Sequence, residues 1–454
     1  MIVAAPYARG TGGYQDFIEQ DVLDMMHDVR SRFKIDTNRT YLTGLSMGGG
    51  GTLWIGLGHP DVWAAIVAVC PAPPSGTEAL APNALNMAVK FVHGTDDPAV
   101  PVKVSREWVE WLSELKTVNL EYLELPGVDH FSWVQAYGDG QIFGWFDRYT
   151  RNPFPNRVRH AAHDLAHGKA YWVRMDQKNP AVPALVDARF AEPNGMQIET
   201  SEIIAFTLDL KGHPKFLANI ALTIVVDGTS FEIPRPGAAI SFSKSMSGQW
   251  EQKAYAPQGL HKSPGLEGPV LNAFASRHIY VYGTADDPSE KILKERIDIA
   301  REAADWAAYR GEFLGRIDFF PRVIPDVAVR QSDHESANLV LFGTTETNSI
   351  IAQYAGDLPL QLKSTAAKKY GLVYVFPNAH QHYLVINSGL PWWKFTEGTE
   401  WRYQPTAQAF LGQLKDFTLF SKNRNVLIQG YFDVDWNLPE IADKELMGSG
   451  VILK

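Results

Sequence analysis

The sequence contains a single cysteine, no long apolar run and no excess of positive charge. Because Cys70 is the single cysteine, the chain cannot contain an intrachain disulfide framework or a metal site built from several cysteines. The longest apolar run, residues 63–70, is much shorter than the roughly 20 residues of a transmembrane helix. Residues 1–6 have no basic leader and too short an apolar stretch for a signal peptide. The sequence therefore predicts no membrane partner, and it leaves the compartment unknown.

Acidic residues outnumber basic ones. The 42 lysine and arginine residues against 51 aspartate and glutamate residues give a formal net charge of −9, and no basic cluster stands out. Since nucleic-acid binding depends on concentrated positive charge, the sequence predicts no nucleic-acid partner. The length of 454 residues, with 45% hydrophobic and 12% aromatic residues, is typical of a globular chain of about three domains at roughly 150 residues each.

The first block of the chain, residues 1–152, alternates short β-branched runs with helical segments. This pattern is typical of a parallel sheet with crossover helices. Strands are expected at residues 2–5, 39–43, 65–69, 88–93 and 120–124. Helices are expected at residues 18–33, 49–58, 102–116 and 140–149.

Two further blocks follow after linkers rich in proline or glycine. Residues 153–265 contain short strands without helical periodicity, which predicts a β-sandwich. Residues 266–454 return to α/β alternation and predict a second α/β domain, three-layered and Rossmann-like. In the sandwich, strands are expected at residues 170–175, 186–191, 197–199, 203–209, 222–226 and 240–242. In the last block, a helix is expected at residues 289–310 and strands at 278–282, 339–342, 372–376, 383–387 and 426–429.

The strongest chemical signal is the sequence Gly44-Leu45-Ser46-Met47-Gly48. It follows a predicted strand and precedes a predicted helix, which is the context that the G-x-S-x-G nucleophile elbow requires. Such a turn exposes the Ser46 hydroxyl at the carboxyl edge of the sheet. The Met47 amide, at the start of the helix, is then a candidate oxyanion donor.

A serine hydroxyl needs a base, and the base needs a carboxylate that holds it in one tautomer. In an α/β-hydrolase these groups follow the serine in the order acid, then histidine. Asp97 follows the predicted strand at residues 88–93, although Asp96 competes with it for this role. His130 follows the next predicted strand and is the candidate base, whereas His93 is interpreted as a structural residue.

Residues 1–150 resemble the α/β-hydrolase superfamily. They are similar to bacterial carboxylesterases that include feruloyl and acetylxylan esterases and are often labelled prolyl oligopeptidase-like. The resemblance rests on the stretches Ala5-Pro6-Tyr7, Glu19-Gln20-Asp21-Val22, Tyr41-Leu42-Thr43-Gly44-Leu45-Ser46-Met47-Gly48-Gly49, His93-Gly94-Thr95-Asp96-Asp97 with Val100-Pro101, and Gly127-Val128-Asp129-His130.

The resemblance implies a role for each matching residue. The family pattern H-G-x-x-D-x-x-V-P selects Asp97 over Asp96. Ser46 would be the nucleophile, His130 the general base and then acid, and Asp97 the residue that orients His130. Later parts of the chain are more weakly similar to the C-terminal accessory domains of large multidomain hydrolases.

The chain also departs from the family pattern. The family sheet normally begins with three further strands, and the loop after the third supplies a second oxyanion donor. We therefore expect an N-terminally incomplete hydrolase domain, in which Met47 is the identifiable donor. The chain would be a fragment of a longer protein, or a strand from elsewhere would fill the gap. If an N-terminal segment has been lost, the protein would be secreted or periplasmic. An exposed sheet edge would also allow a homo-oligomer.

Two weaker patterns concern binding. His160, His163 and His167 have helical spacing, but the neighbouring residues read as sandwich strands and no carboxylate or cysteine pattern accompanies them. The sequence therefore predicts no metal site and no cofactor. Trp133 follows His130 closely and is a candidate aromatic wall for the substrate.

Together these observations predict a serine hydrolase that cleaves carboxylic esters through an acyl-enzyme on Ser46. The substrate would be a small-molecule or polysaccharide-linked ester, of unspecified acyl and alcohol groups. Two alternatives stay open at this point: a prolyl oligopeptidase-type serine peptidase, and a catalytically impaired hydrolase that acts as a binding or assembly protein.

Overall fold

The computed structural model describes residues 1–10, 13–116, 119–306, 319–394, 406–423 and 425–454. The chain divides into two compact units. The first comprises residues 1–6, 13–15 and 19–257, and the second comprises residues 7–12, 16–18 and 258–454. Among the described residues, no helix has both the length and the apolar character needed to span a bilayer.

The first unit contains a four-stranded parallel sheet with the strands in sequential order. Its strands are β1 (Tyr41–Leu45), β2 (Ala65–Val69), β3 (Ala88–Gly94) and β4 (Leu120–Leu125). Because the strands are parallel, their carboxyl ends meet at one edge of the sheet, where functional residues of such folds usually lie.

Helices cover both faces of this sheet. Ile66 of β2 belongs to a buried cluster with Leu53 and Trp108 on one face, while Val67 belongs to a cluster with Trp145 on the other. The alternation of side chains along a strand explains why adjacent residues enter different clusters. The helices of this region are α1 (Asp16–Arg32), α2 (Met47–Gly58), α3 (Lys103–Glu114), α4 (Trp133–Tyr137) and α5 (Gln141–Phe146).

One expected strand of this region is absent. Residues 2–5 form no strand, and Ile2 and Val3 are exposed, so that prediction is wrong. Their β-branched composition favours a strand, but a strand also needs a neighbour that pairs with its backbone. In the described part of the chain, β1 pairs only with β2 and is an edge strand.

The middle of the chain forms two five-stranded sheets, with orders β14-β13-β10-β7-β6 and β12-β11-β9-β8-β5. Buried side chains from both sheets share one hydrophobic cluster, as in a β-sandwich. Sequence patterning missed β5, β12 and the short β14. The strands are β5 (Arg157–Ala162), β6 (Lys169–Ala170), β7 (Val173–Lys178), β8 (Ala184–Glu192), β9 (Gly195–Ser201), β10 (Ile203–Asp209), β11 (Leu222–Val226), β12 (Thr229–Ile233), β13 (Ala239–Lys244) and β14 (Trp250–Glu251).

The sandwich contacts the parallel-sheet region through buried hydrogen bonds within the first unit. The Asn83 side-chain amide donates to the carbonyls of Leu57 and Ala161, at 2.7 and 2.8 Å. Its oxygen accepts a hydrogen bond from the backbone N–H of Ala161 at 2.6 Å. The Tyr171 hydroxyl donates to the carbonyl of Pro60 at 2.8 Å. Since buried polar groups are costly to leave unpaired, these bonds fix β5 and the turn between β6 and β7 against the end of α2 and the residues that follow it.

The second unit is built on a seven-stranded sheet, order β16-β15-β17-β20-β19-β21-β22, with β18 and β23 paired separately. The strands are β15 (His278–Tyr282), β16 (Arg322–Pro325), β17 (Asn338–Phe342), β18 (Leu360–Leu362), β19 (Tyr370–Pro377), β20 (Tyr383–Gly389), β21 (Phe417–Ser421), β22 (Val426–Gly430) and β23 (Val451–Leu453). The helices are α6 (Glu290–Ala303), α7 (Gln331–Ser336), α8 (Ser349–Tyr354), α9 (Thr406–Ala409) and α10 (Asp443–Gly448).

This sheet is mixed, so the Rossmann-like prediction is wrong for it. Strands β16, β15, β17 and β20 are parallel, whereas β20, β19, β21 and β22 pair antiparallel. Only residues 378–382 connect β19 to β20, which is too short for the crossover that parallel neighbours need. The predicted helix at 289–310 corresponds to α6, and its residues 307–310 lie outside the described residues.

Candidate active site

Ser46 stands in the sharp turn between β1 and α2, in a backbone conformation that non-glycine residues rarely adopt (φ 54°, ψ −118°). Three backbone hydrogen bonds hold it there. The Ser46 N–H donates to the Val69 carbonyl, and the Ser46 carbonyl accepts from the N–H groups of Gly50 and Ala72. Strain of this kind persists only where the surrounding structure fixes it, and it is the geometry of a nucleophile elbow.

The turn requires glycine at position 44. A Cβ atom there would lie 2.3 Å from the Gly48 carbonyl oxygen, much closer than any real contact. Glycine therefore lets the first turn of α2 fold back onto the end of β1. Met47 is the first residue of α2, so its N–H is among the amides without an acceptor inside the helix.

His130 lies in the loop after β4 and reaches Ser46 across the carboxyl edge of the sheet. Its Nε2 atom is 2.9 Å from the Ser46 Oγ. Its ring is nearly perpendicular to the Trp133 ring, with centroids 5.4 Å apart. The imidazole is thus largely buried beside an indole. Because Nε2 and Oγ lie within hydrogen-bond distance, a proton can pass between them.

Asp97 holds the opposite side of the His130 ring. The Asp97 Oδ2 atom is 2.7 Å from His130 Nδ1, and Oδ1 accepts from the N–H groups of Ala99 and Val100, each at 2.8 Å. Burial raises the pKa of this carboxyl, but the hydrogen bonds from His130 and from the two amides lower it more, so its pKa falls below the usual value. The carboxylate therefore stays ionised at neutral pH.

The competing carboxylate points elsewhere. Asp96 is exposed, and its Oδ1 accepts a hydrogen bond from the Thr95 hydroxyl at 2.8 Å. The structure thus brings Ser46, His130 and Asp97 into one hydrogen-bonded line and leaves Asp96 outside it.

His93 also contacts Asp97, a contact that sequence reasoning missed. Its Nε2 atom is 3.2 Å from Asp97 Oδ2 and 3.0 Å from the Val100 carbonyl oxygen, while Nδ1 is 2.7 Å from the Ser105 hydroxyl. Both groups near Nε2 are acceptors, so Nε2 carries the proton. The four-residue spacing of His93 and Asp97 in H-G-x-x-D is the signal that could have indicated this contact.

Cys70 lies beside the same loop but lacks the features of a nucleophile. It is fully buried, and its Sγ is 3.7 Å from the His130 carbonyl oxygen. Burial raises the pKa of the thiol, which keeps it protonated. Cys70 therefore acts as a small packed side chain beneath the His130 loop.

Two groups of side chains in the described residues have the composition of a metal site. One is Cys70, Asp97 and His130, of which the last two belong to the hydrogen-bonded line with Ser46; the other is Glu19, His59 and His167. The three histidines that the sequence analysis considered do not converge. His160 Nε2 bonds the His167 carbonyl, and His163 Nε2 bonds the Gly76 carbonyl.

The family comparison matches the part of the chain that contains Ser46, Asp97 and His130. Residues 8–143 match the model of the family described as phospholipase/carboxylesterase. No curated protein matches the chain. A thermostable esterase of known structure is 29% identical with a TM-score of 0.27, and the match covers 29% of this chain and 37% of that one.

Two further solved structures are similar to part of the chain. Esterase PE8 is 23% identical with a TM-score of 0.23, over 29% of this chain and 59% of that one. Est1E from Butyrivibrio proteoclasticus is 15% identical with a TM-score of 0.24, over 29% of this chain and 71% of that one. The chain thus spans less than two thirds of the thermostable esterase and of PE8.

Proposed function

We propose that the chain hydrolyses carboxylic esters with Ser46 as nucleophile, starting from the match of residues 8–143 to the phospholipase/carboxylesterase family model. The observation that carries the proposal is the continuous hydrogen-bonded line from Ser46 Oγ to His130 to Asp97, at 2.9 and 2.7 Å. Each distance lies within the range for a proton relay that activates a serine.

Acylation begins when Ser46 Oγ attacks the ester carbonyl and His130 Nε2 takes the hydroxyl proton. The imidazolium that forms is stabilised by Asp97, which accepts the Nδ1–H hydrogen bond. The Met47 N–H donates to the oxyanion of the tetrahedral intermediate. When this intermediate collapses, His130 returns the proton to the leaving alkoxide and the acyl group stays on Ser46.

Deacylation repeats these steps with water as the nucleophile. His130 Nε2 takes a proton from water, the hydroxide attacks the acyl carbonyl, and the carboxylic acid leaves as His130 reprotonates Ser46 Oγ. One oxyanion donor raises the rate by a factor of about 10²–10³. Both half-reactions pass through an oxyanion, so both need the Met47 amide. Trp133, beside His130, forms an apolar wall against which the ester packs.

The test is labelling of the purified chain with a fluorophosphonate, read by intact mass. The wild-type chain gains one adduct because an activated serine displaces fluoride. The Ser46→Ala variant gains none. Ser132→Ala is the matched control, since Ser132 is a buried serine in the His130 loop and outside the hydrogen-bonded line, and this variant is still labelled.

Turnover assays then separate ester from peptide hydrolysis. The wild-type chain hydrolyses a short acyl ester faster than a proline-containing amide, and Ser46→Ala abolishes both reactions. An adduct that persists in Ser46→Ala, or a folded wild-type chain that is not labelled, refutes the proposal.

A further inference from the structure

Three side chains from distant parts of the first unit converge at a point outside the Ser46 line. Glu19 lies on α1, His59 follows the last residue of α2, and His167 lies in the loop between β5 and β6. The Glu19 Oε1 atom is 2.7 Å from His59 Nε2 and 2.9 Å from His167 Nε2. One carboxylate oxygen and two imidazole nitrogens therefore face one another.

Neighbouring groups fix the orientation of two of these side chains. The Trp54 indole N–H donates to Glu19 Oε2 at 2.7 Å, which leaves Oε1 directed at the two imidazoles. The Asp164 carboxylate lies 2.7 Å from His167 Nδ1, on the far side of that ring. A carboxylate on the outer nitrogen of a histidine is the arrangement that orients metal-binding histidines.

The cluster also has the charge that a cation needs. With Asp164 as a second acid, the cluster holds two carboxylates beside two imidazoles.

We propose that Glu19 Oε1, His59 Nε2 and His167 Nε2 are the protein ligands of a divalent transition-metal ion, Zn²⁺, whose fourth ligand is water. Two imidazole nitrogens and one carboxylate oxygen are a ligand set typical of zinc, whereas Mg²⁺ and Ca²⁺ prefer oxygen ligands.

The spacing of the ligand atoms supports this assignment. All three lie within 4.8 Å of one another. Tetrahedral ligands about 2.0–2.1 Å from zinc are separated by about 3.3 Å, so an ion needs the two short hydrogen bonds to open by only about 0.5 Å. The His59 and His167 side chains are 20% and 19% exposed, which leaves room for a water molecule as fourth ligand.

The position of the site suggests a structural role. The ion would join α1, the end of α2 and the His167 loop, which are elements that sequence separations of 40 and 148 residues keep apart in the unfolded chain. Helix α2 begins beside Ser46, so a ligand at its other end fixes the helix that carries the nucleophile elbow. Zinc binding would then raise the stability of the first unit.

Zinc uptake by the full chain tests the proposal. The purified protein is stripped with a chelator, dialysed and titrated with ZnCl₂, and bound zinc is measured by elemental mass spectrometry. The expected result is one zinc ion per chain. Zinc in free excess of about 100 times its Kd should raise the Tm by several degrees.

Four variants locate the ion. His59→Gln and His167→Gln should lose the bound zinc and the Tm shift. His163→Gln is the matched control, because His163 lies in the same loop and bonds the Gly76 carbonyl, and it should keep both. His130→Gln should also keep both, which separates this site from Cys70, Asp97 and His130.

Two outcomes would overturn the proposal. The first is a folded wild-type chain that takes up no stoichiometric zinc at micromolar concentration, and this result needs no variant. The second is zinc that leaves with His130→Gln but remains in His59→Gln. If His167→Gln does not fold by circular dichroism, His59→Gln and Glu19→Gln decide, since each removes one ligand and keeps the polar character of the site.

Discussion

Both oxygens of the Asp97 side chain are engaged, one by His130 Nδ1 and the other by two backbone amides. An asparagine amide has only one oxygen to offer. Its NH₂ group would face either the two backbone amides, which need an acceptor, or His130 Nδ1, which would then be held in the wrong tautomer. We therefore expect Asp97→Asn to lower kcat for a short acyl ester by about 10⁴. Asp96→Asn is the matched control and should leave kcat unchanged, because Asp96 is exposed and bonds Thr95. The reverse ranking in steady-state assays would show that Asp96 orients the base.

In the proposed mechanism His93 is a positioning residue, because it would act on His130 only through Asp97. A hydrogen bond to a charged group contributes about 1.5–3 kcal/mol, so losing the His93 Nε2–H donor should let the carboxylate shift. We expect His93→Leu to lower kcat about tenfold with little change in KM. His93→Gln, whose amide can donate, should recover part of the loss. Equal kcat values for both variants in a folded chain would contradict the role.

The residues that could be predicted from sequence are those in which local context and chain order agree. Ser46, with its strand–turn–helix context, suggested where the acid and the base should follow. Contacts through space carried no such signal. Glu19, His59 and His167 share no local spacing, and only the folding of α1, α2 and the His167 loop brings them together. The helical spacing of His160, His163 and His167 carried no such information either, because their rings bond different groups.

Helix α2 approaches the segment after β2 more closely than a side chain would permit. A Cβ atom on Gly50 would lie 2.0 Å from the Ala72 carbonyl oxygen, whereas one on Gly48 would be 3.8 Å from its nearest neighbour, Tyr14. Gly50→Ala must therefore displace backbone and should destabilise the chain by about 3 kcal/mol or more. Gly48→Ala should be neutral or gain up to about 1 kcal/mol from helix propensity. Urea unfolding midpoints measure both, and similar midpoints would contradict the close approach.

At the scale of elements, predictions succeeded where a pattern is self-contained. Strand β2 is buried at every position, and its continuous apolar run is typical of a central parallel strand. Residues 2–5 have a similar composition, but no described neighbour pairs with them. Pairing is a property of two segments, so a single segment could not reveal it. The same holds for the β19–β20 hairpin, which makes the second sheet mixed.

For the whole molecule, the two compact units have separate buried clusters, and the second encloses an ion pair. Lys262 Nζ bonds Asp416 Oδ2, and the two side chains are only 3% and 0% exposed. The Phe432 N–H also donates to this oxygen at 3.0 Å. Burial outweighs these contacts and raises the pKa of Asp416 above its usual value. Lys262 is the cation that this buried carboxyl group contacts.

Removing the cation from this pair should strongly destabilise the second unit. We expect Lys262→Met to cost about 3–5 kcal/mol, because a buried charge is left uncompensated. Hydrogen exchange should become faster for amides of residues 258–454. Fluorophosphonate labelling of Ser46 should persist, because Ser46 lies in the other unit. The double variant Lys262→Met/Asp416→Leu is the control and should regain much of the loss.

The pH dependence of the Lys262→Met variant identifies the cause of its instability. Without Lys262, the pKa of Asp416 in the folded chain lies further above its unfolded value, so the folded state binds the extra proton. Stability then rises as pH falls, because protonation removes the buried charge. The difference in Tm between variant and wild type should therefore shrink on going from pH 8 toward about pH 5. A difference that stays constant would mean that lost packing of the Lys262 stem, and not the charge of Asp416, destabilises the variant.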